Sequence, residues 1–217
     1  MAVKVGLKFI EIWGESMEDE IVAYEKEELH KGQIVFYGPS YFTRWSARFG
    51  EKPMRECLLG ASGAECVVNR GFGSSCSEHQ LYYYPRMIRP LEPKVLVYES
   101  HGNAGAFGYS LEERWELAQR VIAYAKTDFP GIQVYLLGPS LSRKETEESI
   151  AEKKQYAEML KAFVAEDPDC HYIEIRDRLL AAGKDLFIED GVHYNKEGYE
   201  LYAEIFREAL ADELAKF

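Results

Sequence analysis

The sequence predicts a doubly wound α/β sandwich. Two features carry that expectation: five short apolar runs of strand character, and long amphipathic segments between them. The runs are "QIVFY" (33–37), "ECVVN" (65–69), "KVLVYE" (94–99), "IQVYLL" (132–137) and "HYIEI" (171–175). Each is nearly continuous rather than alternating, which is how strands covered on both faces of a parallel sheet read. Strand–helix alternation with right-handed crossovers then places helices on both faces.

The elements follow in order. "SMEDEIVAYEKEELH" (16–30) is expected to be helical, with Ser16 as N-cap and Ile21, Tyr24 and Leu29 sharing a face. The first strand runs into "GPSYFTRW", a short helix by pattern. "SLEERWELAQRVIAYAKTDF" (110–129) opens with Ser110 and Glu113 at capping-box spacing, and Trp115, Leu117, Val121, Ile122 and Tyr124 recur at helical spacing. The charged stretch 143–167 carries Ile150, Tyr156, Met159, Leu160 and Phe163. The last helix is expected from near Asn195 to near Leu214. No internal repeat or low-complexity linker divides the chain, so residues 1–217 read as one domain.

Bulk properties narrow the function. The 217 residues are 47% hydrophobic, enough for one sizeable core. A net charge of -11 repels phosphate backbones and disfavours nucleic acid as a partner. The first twenty residues lack the apolar run of a signal peptide, and no stretch approaches the ~18 apolar residues of a membrane span. The four cysteines, Cys57, Cys66, Cys76 and Cys170, have no Cys-x-x-Cys spacing, which argues against zinc and fits free thiols in a reducing cytoplasm. His30, His79, His101, His171 and His193 show no paired ligand spacing, so no metal is expected. "GPSYFTRW" lacks the glycines and lysine of a phosphate loop, which disfavours a nucleotide or flavin cofactor. The aromatic "LYYYPR" (81–86) belongs either to the core or to a homo-oligomer interface.

In parallel sheets, ligands bind beyond the carboxyl ends of the strands. The unusual residues here sit in those places: "GPSYFTRW", "RGFGSSCSE", "SHGNAGA", "GPSLSR" and "EDGVHYN". Ser40 stands where a strand ends and a helix starts, with Gly38 permitting the sharp turn. A serine needs a base and an orienter to act as nucleophile. Asp190 and His193, three residues apart, can supply both roles. Read alone, each of the three also fits a bland account, in which Ser40 and Asp190 cap helices and His193 lies on the surface.

Together these pieces resemble the SGNH (GDSL-type) hydrolase superfamily of esterases and lipases. "FIEDGVHYNKEGYELYAEIF" resembles its final Asp-x-x-His block, "QIVFYGPSYFTRW" its first, and "VVNRGFGSSCSEHQLYYYPRMIRPLEPKVLVY" its second with the helix and strand that follow. "LLGPSLSR" resembles a Pro-Ser-x-x-Arg run after strand four. The resemblance covers about residue 16 to the C-terminus. It implies a flavodoxin-like three-layer α/β/α sandwich with a five-stranded parallel sheet. It also implies hydrolysis of small-molecule esters by Ser40, with His193 as base and Asp190 as orienter.

Departures from the family pattern cluster in the oxyanion hole. Pro39 replaces the usual Asp or Ser before the nucleophile, leaving the Ser40 N–H intact. Ser74 replaces the second glycine of "GFGGS", so the second donor falls to Ser74 or Gly73. The third block, Gly-x-Asn-Asp in the family, reads "YESHGNAGA" here; an ungapped match puts Gly102 at the Asn position, and one inserted residue puts Asn103 there. We prefer Asn103. A lost oxyanion donor costs ~100–1000-fold in rate. Pro39, His101, Gly102 and Arg143 are expected near the pocket, Arg143 more as a brace of its loop than as a ligand. Cys76 is a weak rival nucleophile, because no cation lies near it in sequence. The expected activity is a serine esterase for small acyl groups, acetyl foremost, on carbohydrate-like alcohols. The alternative is a degenerate relative that binds a ligand or partner without efficient turnover.

Overall fold

The computed structural model describes residues 17–217. The expected N-cap Ser16 and most of the N-terminal stretch read above lie outside those residues. Five strands form the sheet: β1 Ile34–Gly38, β2 Val67–Gly71, β3 Val95–Tyr98, β4 Gln133–Leu137 and β5 Cys170–Ile173. All neighbouring pairs are parallel, in the order β2-β1-β3-β4-β5. The helices are α1 (17–25), α2 Ser40–Thr43, α3 Met54–Cys57, α4 Ser77–Met87, α5 Leu111–Asp128, α6 Glu147–Glu166, α7 Arg176–Ala181, α8 Lys196–Ala209 and α9 Ala211–Leu214.

The continuous apolar strands are buried on both faces, as their sequence implied: every residue of β1, β3 and all but the first of β4 is buried. Side chains alternate between two cores. Ile34, Phe36, Val95 and Val97 pack under Phe42 of α2, Leu179 of α7, and Tyr199, Tyr202 and Phe206 of α8. Val35, Tyr37, Leu96 and Tyr98 pack under Ile21 of α1, Tyr83 and Tyr84 of α4, Val121 and Ile122 of α5, and Tyr156 and Leu160 of α6. The result is the three-layer α/β/α sandwich. Tyr83 and Tyr84 are therefore core residues, while Tyr82 of the same cluster is exposed.

Local signals set the helix ends. Ser110 accepts from the Glu113 N–H and the Glu113 side chain accepts from the Ser110 N–H, so α5 starts on a closed capping box. Thr146 and Ser149 make the same reciprocal pair for α6, four residues later than the charged stretch suggested. Asn195 accepts from the Gly198 N–H and starts α8. The expected single C-terminal helix is two pieces, because Leu210 leaves helical geometry between α8 and α9. The first helix is also shorter than expected and ends at residue 25.

The strand order reverses direction between β1 and β3, which opens a crevice at their carboxyl ends. Two close approaches fix that end of β1. α2 lies directly on Gly71, where a Cβ would come within 2.5 Å of both Phe42 Cβ and the Thr43 N. Asn69 Nδ2 donates to Phe42 O at 2.7 Å and ties the same helix to β2. Gly71→Ala is expected to destabilise the fold by about 2 kcal/mol or more, because backbone rather than a flexible side chain blocks the added methyl. Urea unfolding of the variant measures this, and an unchanged midpoint would contradict the packing described.

Candidate active site

Ser40 is the first residue of α2, immediately beyond β1. Pro39 precedes the helix in extended conformation. At a helix start the first N–H groups have no intrahelical partner, so the Ser40 N–H is available to a ligand. Its Oγ lies 2.9 Å from His193 Nε2. His193 Nδ1 lies 2.6 Å from Asp190 Oδ2.

A tight turn brings the acid and the imidazole together. Gly191, at φ 70°, donates its N–H to Ile188 O, and Ile188 donates to His193 O. Asp190 Oδ1 accepts the N–H groups of Val192 and His193 at 2.8 and 2.9 Å. Burial pushes the Asp190 carboxyl up, but the His193 ring and these two backbone donors outweigh it and hold the group well below the usual carboxylate range. Tyr41 packs its ring on Tyr194 at 5.2 Å and tilts over His193 at 6.0 Å.

The other expected residues divide. His101, Gly102, Asn103 and Pro39 line, with Ser40 and Tyr41, a cavity of about 290 Å³. Asn103 sits at φ 63° in the left-handed region, and its Nδ2 donates to Ser75 O at 2.8 Å, leaving one N–H of the amide uncommitted by that bond. Ser74 takes φ 59°, the conformation that a glycine would hold more easily. Gly73 donates its N–H to Glu20 Oε2 at 3.2 Å. Neither Gly73 nor Ser74 is among the residues lining the cavity.

Arg143 does not line the cavity either, which corrects that part of the expectation. Its guanidinium is drawn to Asp185, 2.6 Å away, and its N–H donates to Gly191 O at 2.8 Å. It thus braces the loop after β4 against the turn that holds Asp190 and His193. Trp45 is buried and stacks on Tyr199, and Arg44 lies over Phe49. Burial pushes the Cys76 thiol up to about 11, so it is a protonated core group rather than a nucleophile.

Several lining residues escaped the sequence reading: Glu99, Arg114, Ser140, Glu152 and Lys153. Arg114 pairs with Glu152 through two hydrogen bonds, and Lys153 donates to Ser140 O and to Glu145. Arg114, Glu152 and Lys153 look like ordinary helix-surface charges in sequence. Glu99 carried a legible signal, an acid closing an otherwise apolar strand. Burial pushes the His101 imidazole down to about 3, so it is neutral. A larger cavity of about 440 Å³ lies along β2, away from Ser40, His193 and Asp190.

The sequence profile of the GDSL-like lipase/acylhydrolase family matches residues 34–201, and the chain belongs to that family. Solved structures share the fold. A GDSL-like lipase from Bacteroides thetaiotaomicron superposes with a TM-score of 0.71 at 13% identity, covering 91% of this chain and 98% of that one. A catalytic mutant of the acetylxylan esterase from Geobacillus stearothermophilus does so with a TM-score of 0.68 at 16% identity, covering 87% and 98%. A member of the lipolytic G-D-S-L family from Veillonella parvula gives 0.65 at 17%, covering 82% and 98%. Comparison with curated proteins finds no match. All four cysteines are free, and among the described residues no helix is long and apolar enough to cross a membrane and no cluster of metal-binding side chains occurs.

The depressed Asp190 carboxyl has a consequence for stability. A group whose folded pKa lies below its unfolded value stabilises the fold above the unfolded pKa, near 4, and loses that contribution as pH falls further. Asp190→Asn should therefore lose less melting temperature than the wild type between about pH 5 and pH 3. Parallel losses in both proteins would mean that Asp190 is not held ionised by the turn.

Proposed function

We propose that the chain is a serine ester hydrolase that removes small acyl groups, acetyl above all, from polar hydroxylated alcohols such as carbohydrates. One observation carries the reading: the hydrogen-bonded run from Asp190 through His193 to Ser40, at 2.6 and 2.9 Å. Ser40 Oγ attacks the ester carbonyl carbon while His193 Nε2 takes its proton. Asp190 accepts the Nδ1–H and keeps Nε2 free to act as base. The tetrahedral oxyanion takes hydrogen bonds from the Ser40 N–H, the Asn103 amide and the Ser74 N–H; the Gly73 N–H is already committed to Glu20. Collapse expels the alcohol, protonated by His193. Water, deprotonated by the same imidazole, then cleaves the acyl-enzyme and frees Ser40.

The substrate class rests on the cavity. At about 290 Å³, lined by Glu99, His101, Arg114, Glu152 and Lys153, it suits a small polar group better than an acyl chain. The fold similarity to an acetylxylan esterase points the same way. Three buried thiols and one half-buried thiol suit a reducing compartment, and we assign the protein to the cytoplasm. Ser74 in place of a family glycine, and Gly73 turned to Glu20, favour the rival reading of a binder that does not turn its ligand over.

A fluorophosphonate probe with mass spectrometry separates the two readings. The hydrolase gives an adduct on Ser40, and Ser40→Ala loses both the adduct and at least about 10⁴-fold of acetate ester hydrolysis. Folded protein that stays unlabelled supports the binder. Among chromogenic esters, acetate should exceed octanoate in kcat/KM by about tenfold or more, given the size and polarity of the cavity. The reverse order would exclude the small-acyl assignment.

A further inference from the structure

The end of β3 holds a buried charge that the reaction above does not use. Glu99 is 1% exposed, and its N–H donates to Tyr37 O at the edge of β1. Its Oε1 accepts the N–H groups of His101 and Gly102 at 3.2 and 3.1 Å. Its Oε2 is buried without a hydrogen-bond partner. A buried carboxylate with one bare oxygen is costly, and an apolar side chain would pack there without that cost.

Geometry shows what the carboxylate holds. A Cβ added to Gly38 would lie 2.9 Å from the Glu99 Cβ, so this side chain packs directly on the residue two before Ser40. A Cβ added to Gly102 would lie 3.1 Å from Glu99 Oε2 and 2.8 Å from Pro39 Cγ. Glu99 is thus wedged between the approach to the nucleophile and the turn that carries Asn103. The main-chain bonding between β1 and β3 ends with Glu99 N–H to Tyr37 O; beyond it the turn is held by Ser77 Oγ on Ser100 O, by Ala104 N–H on Gly102 O, and by two side chains, Glu99 on two of its amides and Asn103 on Ser75 O.

We infer that Glu99 is a positioning residue for hydrolysis: its carboxylate holds the 101–103 turn against Pro39, so that the Asn103 amide meets the oxyanion formed at Ser40. The inference rests on the hydrolase reading above and adds the part that fixes its least regular donor. The arrangement is also sensitive to protons. Burial pushes the Glu99 carboxyl up to about 7, against the two backbone N–H groups and Lys153, which pull it down. The groups around it are Lys153 and Tyr156 of α6, Tyr41 of α2, Tyr98 of β3, Tyr202 of α8 and the neutral His101; burial raises all four phenols. Below neutrality Glu99 takes up a proton, and its bonds to the turn lose their charge assistance. Loss of rate on the acid side then includes the protonation of Glu99.

The test compares Glu99→Gln, Glu99→Ala and Asn103→Ala with the wild type on a chromogenic acetate ester, with Ser40→Ala as the blank. Gln keeps an acceptor oxygen and removes the titration; Ala removes both. Glu99→Ala should lower kcat roughly 10–100-fold with KM within about threefold, approaching the loss in Asn103→Ala. Glu99→Gln should retain kcat within about threefold at pH 8, and its acid limb should follow a single proton where the wild type falls more steeply. Wild-type kcat in Glu99→Ala, equal impairment of the Gln and Ala variants at every pH, or an acid limb in Glu99→Gln as steep as the wild type's would each overturn the inference. Should Glu99→Ala not fold, the Gln variant decides alone through its pH profile. Hydrolysis that persists in Ser40→Ala sinks the nucleophile assignment instead, which keeps the two failures apart.

Discussion

One hydrogen bond, between Ser40 Oγ and His193 Nε2, joins groups 153 positions apart in the chain. Closing so long a loop carries a large entropic cost, and a contact of about 1 kcal/mol cannot meet it. The sheet meets it instead. β1 delivers Ser40 to the rim, while α8, packed by Tyr199, Tyr202 and Phe206 against the face that holds Ile34 and Phe36, delivers the turn of Asp190 and His193. The bond is then made between groups already in place, which is the condition under which it can aid a reaction.

The rim is polar, and almost every charge on it is spoken for. Arg114 faces Glu152, Lys153 faces Glu145, and Arg143 faces Asp185. Such pairs add little net stability where solvent reaches them. What they provide is shape: each fixes one helix or loop against a neighbour, so that a shallow crevice keeps its outline. Glu99 differs from them because its partners are backbone amides rather than a cation at contact distance.

Much of this was legible in the amino-acid order. Continuous apolar runs at 33–37 and 132–137 gave strands within a residue of those observed, because burial on both faces leaves no alternation to mislead. Ser110 and Glu113 marked the start of α5 because capping chemistry is local. Ser40, Asp190 and His193 stood out through their motif, and their meeting could be inferred from the family resemblance rather than from any local pattern. What stayed hidden depends on the third dimension. Arg114 and Glu152 come from different helices and meet only through the crossover. The turn to Glu20 taken by the Gly73 N–H, and the break at Leu210, reflect packing partners far away in sequence.

The contact between α2 and Gly71 has a wider implication. With backbone seated on backbone, the segment bearing Ser40 has no slack to slide or tilt, whereas the rim loops that bear Asn103 and Arg143 are tied down by a few hydrogen bonds and ion pairs, among them Asn103 to Ser75 O and Arg143 to Asp185 and Gly191 O. Variation among descendants of such a chain would fall on those outer loops. On the hydrolase reading proposed above, new preferences for alcohol or acyl partner would arise there, residue by residue, while the Ser40 hydroxyl stays where it is.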